Sequence, residues 1–87
     1  PSPEDSVVRK ELAACIRKVY AAMNNKHAKI LEHKDVLGYG YSEIADIVGM
    51  SRNSIGTSLT RARDAFHKLF EECCPELYME RYGELTT

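Results

Sequence analysis

The chain has 87 residues, 44% of them hydrophobic and 29% charged, which fits one soluble globular domain and excludes a disordered or membrane-spanning class. Its net charge is −1, which by itself excludes a strongly basic nucleic-acid binder. That charge is uneven: residues 1–23 carry +1, residues 24–63 carry +2 and residues 64–87 carry −4, so the acid is concentrated in the tail.

In chain order, Ser2-Pro3-Glu4-Asp5 reads as a helix start, with Ser2 as cap, Pro3 in the first turn and acids near the positive end. Val8, Leu12, Ile16, Val19 and Met23 then recur at helical spacing, with Cys15 and Tyr20 beside the stripe. Asn24-Asn25 marks a turn. A second helix is expected from about Lys26 to Leu37, with Ile30, Leu31 and Leu37 as apolar markers and Gly38 as its left-handed stop. Gly38-Tyr39-Gly40 reads as a linker. A short third helix follows, with Tyr41, Ile44, Ala45 and Val48 on one side, Glu43 near its start and Gly49 at its end.

Ser51 caps the fourth and clearest helix. Ile55, Leu59, Ala62, Phe66 and Leu69 form a continuous apolar seam reaching Phe70, and Pro75 limits it. Beyond Pro75, Leu77, Tyr78 and Tyr82 fit either a further turn or two of helix or a frayed end. No segment alternates like a strand. The expected fold is all-α: a four-helix domain over residues 6–72 ending in a helix-turn-helix unrelated to the winged type. A linker remnant precedes it at 1–5 and an acidic tail follows at 73–87. The tail is read first as a solubilising terminus, and otherwise as a shield for the basic face or a partner-binding segment. The chain opens on Pro1 rather than Met, as expected of a segment of something longer.

Residues 41–63 carry the functional argument. A short amphipathic helix, a glycine turn and a capped second helix form the pattern of a helix-turn-helix. The two helices must cross steeply. Ala45 permits close approach, and Ile44, Val48 and Ile55 fill the wedge between them. On a helical wheel, Asn53, Thr57, Thr60 and Asp64 then point away from the seam, flanked by Ser54 and Arg61. Such a small polar face suits base edges: Asn pairs with adenine in bidentate fashion, and a Thr methyl meets a thymine methyl. Ser51, Arg52 and the free amides of the helix start suit phosphates. Gly56 is unusual inside a helix, and reads either as a tolerated position or as a device for deeper entry into a groove. The bland alternative for the whole stretch is a helical packing unit whose polar face is merely solvated.

The string YSEIADIVGMSRNSIGTSLTRAR, residues 41–63, resembles region 4 of sigma-70 family factors, especially the extracytoplasmic-function group. Tyr41, Glu43, Ile44, Ala45, Ile47, Gly49, Ser51, Ile55, Leu59, Arg61, Ala62 and Arg63 match the family pattern. The likeness extends over about residues 3–70. It implies recognition of the promoter −35 element, docking on the β flap of the RNA polymerase core and a possible anti-sigma partner; a cytoplasmic setting is expected because no signal peptide is evident, and neither cofactor nor catalysis is expected. It further implies that Arg52, Asn53, Ser54, Thr57 and Arg61 touch DNA; with the wheel reading, Ser51 and Thr60 complete the candidate interface. Two departures stand out. Met23-Asn24 replaces the usual Leu-Pro, and Gly56 and Ser58 replace basic residues of the recognition helix, which predicts weaker, less salt-dependent binding. A sigma-like domain whose main task is binding protein, or an ordinary helix-turn-helix regulator, remain the alternatives.

Cys15, Cys73 and Cys74 are odd in number and two are adjacent, so free thiols are expected rather than a disulfide framework. The spacings of His27, His33, His67 and these cysteines match no zinc pattern, so no metal is expected. Gly38-x-Gly40 lacks the Lys and preceding strand of a phosphate loop, no nucleophile-base-acid set stands out, and no apolar run suits a membrane.

Overall fold

The computed structural model describes residues 3–83, and all of its regular structure among them is helical. The expected Ser2 cap and the last four residues lie outside that range. Helix α1 spans Pro3–Ala22, α2 spans Asn25–Leu31, α3 spans Tyr41–Val48, α4 spans Arg52–Cys73 and α5 spans Pro75–Tyr82. The expected all-α fold holds, with a fifth helix formed by the tail.

Asn24 breaks the chain between α1 and α2. Its side-chain oxygen accepts from the amides of Lys26, at 2.9 Å, and His27, at 3.3 Å. An Asn cap therefore opens α2 without the Pro that the Leu-Pro pattern would supply. The second helix departs from expectation in its second half. From Glu32 to Val36 the backbone widens into a π-helical turn, closed by the Leu37 amide on the Glu32 carbonyl at 3.0 Å. Gly38, at φ 73°, then ends the segment, and the Tyr39 amide returns to the His33 carbonyl at 2.9 Å.

The core is drawn from four helices. Cys15, Val19 and Met23 enter from α1, Ile30 and Leu31 from α2, Ile44 and Ala45 from α3, and Ile55, Leu59, Ala62 and Phe70 from α4. Each large apolar side chain so buried contributes about 1.5–3 kcal/mol relative to exposure. Among the described residues no polar or charged side chain is buried. On α1 the expected stripe is rotated: Cys15 joins Val19 and Met23 in the core, while Leu12 and Ile16 are half-buried and Val8 is exposed.

Pro75 stops α4 and begins α5, where its missing amide hydrogen costs nothing. Leu77, Tyr78 and Tyr82 then pack on the core instead of fraying. Tyr78 and Tyr82 set their rings edge-on against Phe70 and His67, with His67 and Tyr82 centroids 4.8 Å apart. The expectation of free thiols is corrected. Cys15 and Cys74 form a disulfide across Cα atoms 6.5 Å apart, and only Cys73 is a free, exposed thiol among the described cysteines. Folding of α4 back along α1 joins cysteines 59 positions apart, a pairing that spacing alone does not reveal.

Candidate nucleic-acid interface

The interface is built on the turn between α3 and α4. Gly49 lies at φ 72°, ψ 36°, the left-handed conformation that side-chain-bearing residues adopt at a cost. A Cβ there would meet nothing within 4 Å, so the requirement for glycine is one of backbone, not of space. The Met50 amide closes the turn on the Ala45 carbonyl at 3.0 Å. At the other end of α3, the Glu43 carboxylate accepts from the Gly40 amide at 3.1 Å and adds negative charge to the helix's positive terminus.

Ser51 then starts α4 in extended conformation. Its hydroxyl accepts from the Ser54 amide at 3.3 Å and lies 2.8 Å from the Ser54 hydroxyl. This local pair sets the first turn and leaves the amides of Arg52 and Asn53 directed out of the helix start, where an anion can meet them. Ile44, Ala45, Ile55 and Leu59 are fully or almost fully buried beneath, so the seam locks the rotation of α4 about its own axis.

With that rotation set, all seven expected interface residues are exposed: Ser51, Arg52, Asn53, Ser54, Thr57, Thr60 and Arg61. Asn53, Thr57 and Thr60 share the outward line of the helix with Asp64. Thr60 donates its hydroxyl to the Gly56 carbonyl at 3.2 Å, and its oxygen keeps capacity to accept a further hydrogen bond. Arg52 and Arg61 have no ion-pair partner among the described residues. Arg63, which matches the family pattern equally well, is placed differently: its Nη2 lies 2.9 Å from Asp35 Oδ1 on the π-helical turn. Sequence reasoning had no signal for this pair, because a periodic pattern is blind to contacts between separate elements.

Gly56 is half-buried, and a Cβ there would stand 3.8 Å from the Tyr41 ring, an ordinary contact. Sterics alone do not demand glycine at this position. The Tyr41 ring in turn carries Lys34 Nζ 5.5 Å from its centroid.

Among the described residues no group of three or more His, Cys, Asp or Glu side chains could hold a metal ion, and His67 sits instead within the aromatic cluster of Phe66, Tyr78 and Tyr82. No described helix is long and apolar enough to cross a membrane. What remains is a capped helix end offering amides, two guanidiniums with no ion-pair partner among the described residues, and a polar line through Asn53, Thr57 and Thr60.

Residues 13–66, more than half of the chain, match the family described as sigma-70, region 4. The chain is also similar to the RNA polymerase sigma factor SigZ of Bacillus subtilis (strain 168), with 29% identity over 84 residues; this covers 97% of the chain and 47% of that protein's length. No solved structure matches.

Proposed function

This chain belongs to the sigma-70 region 4 family, which is not an enzyme family, and we propose that it reads the −35 element of promoter DNA as the C-terminal part of an alternative, extracytoplasmic-function-type sigma factor. In this reading it docks on the β flap of the RNA polymerase core, works in the cytoplasm, performs no catalysis, and is open to sequestration by an anti-sigma protein. The observation that carries the reading is the exposed polar face of α4, uncharged at Asn53, Thr57 and Thr60 and propped outward by α3 through the buried Ile44, Ala45 and Ile55.

The start of α4 enters the major groove. Arg52 and the first-turn amides hold phosphate and set the register. Asn53 pairs with a base edge, Thr57 and Thr60 offer methyl groups and hydroxyl oxygens to neighbouring bases, and Arg61 reaches a guanine edge or the far phosphates. Ser51 and Ser54 act chiefly on each other, holding the turn in the shape that presents their neighbours. Arg52 and Arg61, unpaired among the described residues, make a small electrostatic footprint, so sequence-specific affinity depends on polymerase holding the domain in place.

A second reading is favoured by the net charge of −1: a sigma-like domain whose main partner is a protein. Titration of promoter duplexes carrying a randomised −35 region, at several salt concentrations and with the domain attached to polymerase, separates the two. Sequence-dependent binding supports promoter reading. Binding to an anti-sigma partner with no sequence-dependent DNA affinity overturns it.

A further inference from the structure

The Cys15–Cys74 disulfide lies at the opposite end of α4 from the Ser51 cap. It ties α1 to Cys74, the single residue between α4 and α5, across a sequence separation of 59. Cys74 also lies beyond the family match, which ends at residue 66. Cys15 is only 2% exposed, whereas Cys74 is half-buried. Both line one open cavity of about 430 Å³, together with Glu11, Lys18, Pro75 and Leu77. A small thiol can therefore reach the bond from solvent without unfolding of the domain. Lys18 stands at the wall with the carboxylates of Glu11 and Glu76, so an uncharged dithiol suits the cavity better than an anionic thiol.

We propose that Cys15–Cys74 is a thiol–disulfide exchange site, opened by a dithiol entering this cavity, and that its redox state sets how firmly α5 is held on the core. The proposal rests on the promoter-reading function: a chain that works on DNA works among reducing thiols, where disulfides are usually transient and redox-sensing. A thiolate of the dithiol attacks the Cys74 sulfur. The disulfide bond breaks, a mixed disulfide forms, and Cys15 leaves with the electron pair and takes a proton. The second thiol of the dithiol then attacks the mixed disulfide and expels Cys74 as a thiolate. Two electrons pass to the protein, and the dithiol departs as its own cyclic disulfide. An oxidised dithiol runs the same steps in reverse.

Reduction removes the covalent tie between α1 and the start of α5. Leu77, Tyr78 and Tyr82 then hold α5 by packing alone, chiefly on Phe70 and His67 of α4. A short helix held in this way opens locally before the rest of the domain.

The test uses the full chain with Cys73→Ser, which removes the exposed thiol so that one pair reports. The protein is equilibrated in mixtures of reduced and oxidised dithiothreitol, from strongly reducing to strongly oxidising, alkylated and weighed, and amide hydrogen exchange is measured in both end states. The disulfide fraction is expected to pass through one half within the series. Amides of residues 76–82 are expected to exchange about tenfold faster or more in the reduced form, with residues 41–63 unchanged. Adding Cys15→Ala should give the fast exchange under every condition; if that variant does not fold, the titration and exchange of the Cys73→Ser protein decide. A disulfide that survives the most reducing mixture, one that never forms in the most oxidising, or equal α5 exchange in the two states overturns the proposal. None of these readouts involves DNA, so its failure and the failure of promoter reading are separate results.

Discussion

Arg63 on α4 and Asp35 on the π-helical turn meet at 2.9 Å, and this pair gives one of the three arginines of α4 a carboxylate partner. Both side chains are about half exposed, at 48% and 45%, so water screens them. A double-mutant cycle with Asp35→Asn and Arg63→Gln is expected to give a coupling of roughly 0.2–1 kcal/mol that fades at high salt. A coupling well above this that persists in salt would mean the pair organises the fold more than its exposure allows.

The same geometry separates two arginines that the sequence pattern treats alike. Arg61→Ala is expected to weaken promoter binding and make the plot of log affinity against log salt shallower by about 0.9, one phosphate contact. Arg63→Ala is expected to leave that slope unchanged. Salt titrations with promoter duplex check both; equal slopes in the two variants would count against Arg61 as a phosphate contact.

In the proposed reading, the exposed Asn53 hydrogen-bonds to a base edge. Asn53→Ala should lower affinity for the preferred −35 sequence by about 1–3 kcal/mol and relax preference at one base pair, with non-specific binding little changed. Selection from randomised duplexes measures this, and a uniform loss across all sequences would reassign Asn53 to positioning.

Two glycines on the helix-turn-helix should respond in opposite senses. Gly49→Ala forces a side chain into the left-handed conformation and is expected to cost about 1–2 kcal/mol of stability, although space is available. Gly56→Ala places a methyl in ordinary contact with Tyr41 inside a helix and is expected to stabilise by about 1 kcal/mol. Urea denaturation of both variants is the measurement, and destabilisation by Gly56→Ala would show that the approach of Tyr41 is tighter than contact distance suggests.

Tyr20 should make the domain sensitive to alkali. Its phenol is raised above the usual 10.0, first by burial, then by the charges of Asp35 and Glu32. The folded state therefore holds this proton more tightly than the unfolded chain does. The resulting stability is intact below pH 10.0 and is lost as pH rises from there through the folded value. Unfolding free energy measured above pH 10 is expected to fall less steeply in Tyr20→Phe than in the parent, and identical slopes would show that other groups carry the effect.

Local signals along the chain determined the helix-turn-helix: the seam from Ile55 to Phe70, the glycine at position 49, the Ser51 cap and hence the outward line through Asn53, Thr57 and Thr60. These follow from residue spacing and backbone preference within a few turns, which sequence records directly. Tertiary structure alone decided the rotation of α1 that buries Cys15, the π-helical turn that meets Arg63, the packing of α5 and the joining of Cys15 to Cys74. Those features depend on which surfaces meet after the chain folds back, between residues as far as 59 positions apart, and neither periodicity nor capping carries that information.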